Sequence, residues 1–121
     1  MNALPAGMVA KYLGKTTSAL ANASKAAYKA ADNIAGWVPK NKHLLDSTAK
    51  RARKFNSNSL NDVRSIVQEA LRSPDTKFMP NPDGGFRVVT DLGRKIGSKG
   101  ETSIRIAVGE NGKIWTAFPV K

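Results

Sequence analysis

The chain has 121 residues, room for one compact domain with a helical lead-in. Its 20 Lys and Arg against 9 Asp and Glu leave a net charge of +11, which favours polyanionic partners (nucleic acid, an acidic membrane surface or an acidic protein) and says nothing about fold. The absence of cysteine excludes disulfides and thiolate metal sites, and a single histidine, His43, excludes the histidine clusters that zinc usually needs.

Residues 8–35 are rich in Ala with Lys scattered through them, both good helix formers, with Gly14 and the pair Thr16-Thr17 as weak points. Leu20, Ala23, Ala27, Ala31 and Ile34 fall at helical spacing, but a face made mostly of alanine predicts a loosely held helix or a helical pair. No apolar run is long enough to span a bilayer, and the opening "MNALPAGMVAKYLGK" lacks the sustained apolar core of a secretory signal. The Gly and Pro of Gly36–Asn41 punctuate the chain there, dividing it into a lead-in over 1–41 and a functional domain over 42–121.

Residues 42–55 read as a helix with a narrow apolar stripe of Leu45, Ala49 and Ala52 and with Phe55 near its end. On that helix His43, Ser47, Lys50 and Lys54 share one face, flanked by Arg51 and Arg53. The following segment is the clearest helix: Ser59 or Asn58 caps it, Asp62 stands where a capping box has Glu or Gln, and Pro74 stops it. Leu60, Val63, Ile66, Val67, Ala70 and Leu71 form its apolar face.

After Pro74 the period changes from helical to alternating. Two strands flank a Pro-Asp-Gly-Gly turn, a Gly- and Lys-rich connection follows, and a hairpin with Asn111-Gly112 at its tip ends the chain. Helices first and strands afterwards predict an α+β domain, with helices packed on one face of an antiparallel sheet.

The hairpin register puts Arg105 opposite Phe118 and Ala107 opposite Thr116. Ile104, Ile106, Val108, Trp115 and Ala117 then share the apolar side, and Glu101, Ser103, Arg105, Ala107, Ile114, Thr116 and Phe118 the other. That second side suits a nucleotide: Arg105 for a phosphate, Ser103 and Thr116 as hydroxyl donors, Phe118 as a stacking surface. An ordinary wet sheet face would also read this way. RNA cleavage needs a base for the 2′-hydroxyl, an acid for the leaving oxygen and cations for the phosphate charge. His43 can fill either proton role, and Glu101 is the candidate second proton carrier.

The His-bearing helix, the amphipathic helix and a hairpin reading Gly-x-Thr-x-Ile-Arg-Ile-Ala-Val…Gly-Lys-Ile-Trp-Thr-Ala-Phe-Pro-Val (Gly100 to Val120) together resemble the C-terminal nuclease domains of bacterial contact-dependent growth inhibition and related polymorphic toxins. Many of these have the barnase/EndoU/colicin/RelE-like fold, and many cleave tRNA. The resemblance covers roughly residues 42–121, with the Ala-rich lead-in standing where such toxins carry an uptake region. It implies His43, Arg105 and Thr116 as catalytic residues, with basic residues such as Lys50 and Lys99 on the RNA; Lys54 on the basic helix and Ser103 and Phe118 on the strand face join them as candidate RNA contacts. It implies 2′-hydroxyl attack leaving a 2′,3′-cyclic phosphate, with no metal or cofactor. It also implies an acidic cognate immunity protein, a tRNA-carrying translation factor as a further partner, and a secreted or cell-surface carrier that delivers the nuclease to the cytoplasm of a target bacterium.

Related toxins with a ribonuclease-A-like fold end in Thr-Ala-Tyr; here Phe118 replaces the Tyr, and Lys54 stands where an Arg follows the histidine. Two other classes stay open: a basic module that binds RNA or DNA without cutting it, and a membrane-active lead-in, whose Ala face lacks an aromatic or Leu ridge.

Overall fold

The computed structural model describes residues 17–80 and 84–121. Helices α1 (Thr17–Asp32) and α2 (Leu60–Arg72) precede strands β1 (Lys77–Pro80), β2 (Phe86–Asp91), β3 (Ser103–Val108) and β4 (Ile114–Val120). The strands form one antiparallel sheet in the order β1-β2-β3-β4. The helices pack against it through α2 on β2 and β3 and α1 on β3. The fold is therefore the α+β arrangement that the helix-then-strand order predicts. Among the described residues no helix is long and apolar enough to cross a membrane.

The alanine face of α1 determines how close the two helices lie. Ala23, Ala26, Ala27, Ala30 and Ala31 are all buried, in the same core as Val63, Val67, Ala70 and Leu71 of α2. Small side chains bury little area each, but these five are all buried where α1 packs on α2. Polar clasps finish the join: Gln68 Nε2 donates to the Ala31 carbonyl at 3.0 Å, Arg64 Nε to the Trp37 carbonyl at 2.7 Å, and Arg72 pairs with Asp32 at 3.1 Å. Over its described part, the lead-in assigned to 1–41 thus shares its core with the rest of the chain; the weak points Gly14 and Thr16 lie outside the described residues.

Helix α2 begins as its sequence dictates. Ser59 is the N-cap, and its hydroxyl accepts the Asp62 amide at 3.2 Å. Asp62 does not close a reciprocal box on Ser59; its carboxylate takes the Ser57 hydroxyl at 3.1 Å instead. Leu60, assigned to the apolar face, is exposed, because the first turn overhangs the core. At the other end the Thr76 and Thr90 hydroxyls both reach the Ala70 carbonyl, at 2.6 and 3.2 Å, and lie 2.9 Å from each other. This buried polar knot ties the helix end to β2.

Residues 42–55 are not a helix. A 3-10 turn at Asn41–His43 leads into an extended, irregular loop. Its apolar stripe is too thin to hold a helix on the core, with Leu45 exposed, and like charges at helical spacing between Lys50, Arg53 and Lys54 would repel. The backbone pairs sideways instead. Phe55 N–H donates to His43 O, Leu45 N–H to Ser57 O, Asn56 N–H to Ile96 O and Ser98 N–H to Lys54 O. The fully buried Phe55 ring pins the loop. The common helical face expected for His43, Ser47, Lys50 and Lys54 therefore does not exist; the Ser47 hydroxyl accepts the Ala49 amide.

The hairpin pairs Arg105 with Phe118 and Ala107 with Thr116, as its turn predicts. A register shift between Ala107 and Val108 then sets Val108 against Ile114. The extra residue is Trp115, so Ile114 is buried and Trp115 is exposed, the reverse of strict alternation. The Gly112 amide closes the tip on the Gly109 carbonyl, and its φ of 83° is one that glycine adopts without cost.

Candidate active site

The sheet face turned away from the helices holds two cross-strand rows. One runs Met79, Arg87, Ala107, Thr116; the next runs Lys77, Val89, Arg105, Phe118. Arg87, Arg105, Thr116 and Phe118 are all half-buried. With strands about 4.8 Å apart, Arg87 and Thr116 flank the small Ala107 at a backbone separation of roughly 10 Å. Arg87 escaped the sequence reading, which paired only the last hairpin; alternation in Phe86-Arg87-Val88-Val89 was its signal, and only the β2–β3 register connects it to Thr116.

The loop over residues 41–55 delivers His43 to this face. Its imidazole stacks on the Phe118 ring with centroids 5.2 Å apart and planes inclined by 24°. The guanidinium carbon of Arg105 lies 6.0 Å from the centroid of the same ring, a cation–π contact. The structure thus gathers His43, Arg105 and Phe118 around one aromatic ring, with Thr116 two residues along β4 on the same face. Phe118 is not the open stacking platform that the sequence suggests, since the imidazole covers it.

His43 is only 5% exposed, and its Nδ1 lies 2.6 Å from the Arg53 carbonyl. A carbonyl only accepts, so Nδ1 carries the proton and donates it, and the neutral ring presents a lone pair at Nε2. Nε2 has no hydrogen-bond partner among the described residues. Burial lowers the pKa of His43 from its ordinary value; the bond to Arg53 opposes this, and the charges of Lys42 and Lys40 reinforce it. The ring is therefore neutral at pH 7, in the form able to take a proton. The Thr116 hydroxyl makes no hydrogen bond to the described residues, and the buried Nε of Arg105 also lacks an acceptor.

Beyond Arg53 the same loop forms one wall of a cleft of about 380 Å³, with Lys50, Arg51, Arg53 and Lys54 on one side and Ser98, Lys99 and Lys121 on the other. Glu101 lies at this cleft but not on a strand face, because β3 starts two residues later. It is 5% exposed beneath the 97–100 turn, where Oε1 accepts the Lys99 amide at 2.9 Å. Ser103 faces another groove with Lys77, Val89, Asp75 and Asp91, so it stands among carboxylates and apart from the basic cleft. No group of three or more His, Cys, Asp or Glu suited to a metal ion occurs among the described residues. Compared with protein-family models, curated proteins and solved structures, the chain matches none.

Proposed function

We propose that this chain is an endoribonuclease, the toxin domain of a bacterial growth-inhibition system, cutting RNA by 2′-hydroxyl attack without a metal. One observation carries the reading. A neutral imidazole with an unpartnered Nε2 is held against Phe118 beside Arg105, on a sheet face that also offers the Thr116 hydroxyl.

In this mechanism His43 Nε2 takes the 2′-hydroxyl proton while the oxygen attacks the adjacent phosphorus. Arg105 and Arg87 hold the non-bridging oxygens as their charge grows, and Thr116 donates a hydrogen bond to the same phosphate. The P–O5′ bond breaks, leaving a 2′,3′-cyclic phosphate and a 5′-hydroxyl. The leaving oxygen takes its proton from solvent. Glu101, the second carrier suggested by the sequence, is committed to the 97–100 turn and is assigned here to holding Lys99 in place.

The barnase/EndoU/colicin/RelE-like and ribonuclease-A-like versions of such toxins share this chemistry. The tRNA preference, the acidic immunity protein, the tRNA-carrying translation factor and the delivery into a target cell all follow from the sequence resemblance. Induced expression in a bacterial cytoplasm tests the proposal: growth arrest with tRNA fragments supports it, and normal growth with intact RNA contradicts it. The basic cleft also favours a second reading, a module that binds nucleic acid without cutting, marked by tight, salt-sensitive binding to RNA that stays whole.

A further inference from the structure

We infer that the cleft between residues 50–54 and 98–99 is a second phosphate subsite, which grips the phosphodiester neighbouring the one presented to His43; this rests on the ribonuclease reading. Lys50, Arg51, Arg53, Lys54, Lys99 and Lys121 surround it, and none of the six makes a salt bridge among the described residues. Glu101, the one acidic side chain among the residues lining the cleft, is turned beneath the 97–100 turn and partly used by the Lys99 amide. The cleft is therefore strongly cationic, and its charge is unspent on the protein itself.

Its position links it to the proposed chemistry. Arg53 contributes its carbonyl to His43 Nδ1 and also lines the cleft, so one residue spans the two sites. The walls are preformed, since Ser98 N–H bonds to Lys54 O at 2.8 Å and Phe55, next in sequence, is fully buried. Cations on a tethered backbone lose less freedom on gripping a phosphate than cations on a free tail. A polynucleotide fits better than an isolated anion, because a strand held at His43 has the Arg53 wall of the cleft next to it, where a neighbouring phosphate can lie.

The test uses the whole chain and uncleavable probes: the deoxydinucleotide dTpdT, unmodified, with a 5′-phosphate and with a 3′-phosphate, titrated by NMR at low salt. One terminal phosphate is expected to tighten binding about tenfold, the effect of one charge-assisted contact. It should shift the Ser98 and Lys99 amides, and the gain should fall below about twofold in Lys54→Ala/Lys99→Ala. The control Lys25→Ala/Lys113→Ala, which removes two exposed cations elsewhere, should keep the gain. Equal loss in both double variants would overturn the subsite, because the overall field would then suffice. So would equal affinity for all three probes, or tighter binding of a pentaglutamate peptide at the same amides, which would point to an acidic protein. Cleavage of the matching ribodinucleotide is scored separately: a phosphate-dependent gain without cleavage keeps the subsite and sinks the ribonuclease reading.

Discussion

The imidazole of His43 and the ring of Phe118 stack at 5.2 Å although 75 residues separate them in the chain (118 − 43). The contact shields the histidine from water and orients it, so in the proposed mechanism Phe118 positions the imidazole rather than stacking on the base. Phe118→Leu should cut the turnover rate about tenfold with little change in KM, since a 1 Å misplacement can cost more than that. It should also raise the pH midpoint, as burial is the largest cause depressing the His43 pKa. Phe118→Tyr, which keeps the ring, should restore both. A purely structural Phe118 would lower the stability of the Leu variant and leave the pH midpoint in place.

Acid should inactivate and destabilise the protein through the same group. His43 titrates below its ordinary 6.5 when folded, so below that value the unfolded chain binds the proton more readily. Stability is then fully present above about pH 6.5 and falls as pH drops through the lower folded midpoint. Cleavage, which in the proposed mechanism needs the neutral ring, should rise with pH about the folded midpoint, below the pH at which the stability loss begins. Urea unfolding from pH 4 to 8 with wild type and His43→Gln checks this: the acid loss of stability should shrink in the variant, and an unchanged slope would contradict the assignment.

Glu101 and Gly97 should behave as parts of one turn. A Cβ on Gly97 would come within 2.4 Å of Glu101 Oε1, so Gly97→Ala must displace the buried carboxylate. That should cost about 1–3 kcal/mol of stability. Glu101→Gln preserves an oxygen for the Lys99 amide and should keep cleavage within about threefold. A loss of a hundredfold or more would instead make Glu101 the proton carrier.

The Thr76–Thr90 knot offers a check on the fold that leaves the site alone. Thr90→Val removes one of two hydroxyls meeting the Ala70 carbonyl and leaves the buried Thr76 hydroxyl with one partner fewer. The expected loss is about 1–2 kcal/mol by urea denaturation, with RNA cleavage unchanged under native conditions.

What could be read from sequence followed the range of the interactions. Helix α2 was legible because its apolar stripe is complete and Ser59 and Pro74 mark its ends locally. Arg105 and Phe118 were paired correctly because Asn111-Gly112 sets the register nearby. Trp115 departs from alternation because the bulge also depends on how Ile114 fits the core. The segment from 42 to 55 departs further: it pairs across itself, Phe55 to His43 and Leu45 to Ser57, and at Lys54 and the adjoining Asn56 with residues 96–98, some 40 positions on, where local periodicity carries no signal. His43 stands out in the sequence as the lone imidazole on a basic stretch, but a loop rather than a helix face brings it onto Phe118.

The most direct test of the account is to incubate the purified chain with total bacterial RNA in excess EDTA beside His43→Ala, adding a bacterial translation-factor extract in parallel, and to resolve the products and their ends. Discrete tRNA fragments carrying 2′,3′-cyclic phosphate, lost by a thousandfold or more in the variant, are predicted. Intact RNA in every lane, or equal cleavage by His43→Ala, would contradict it.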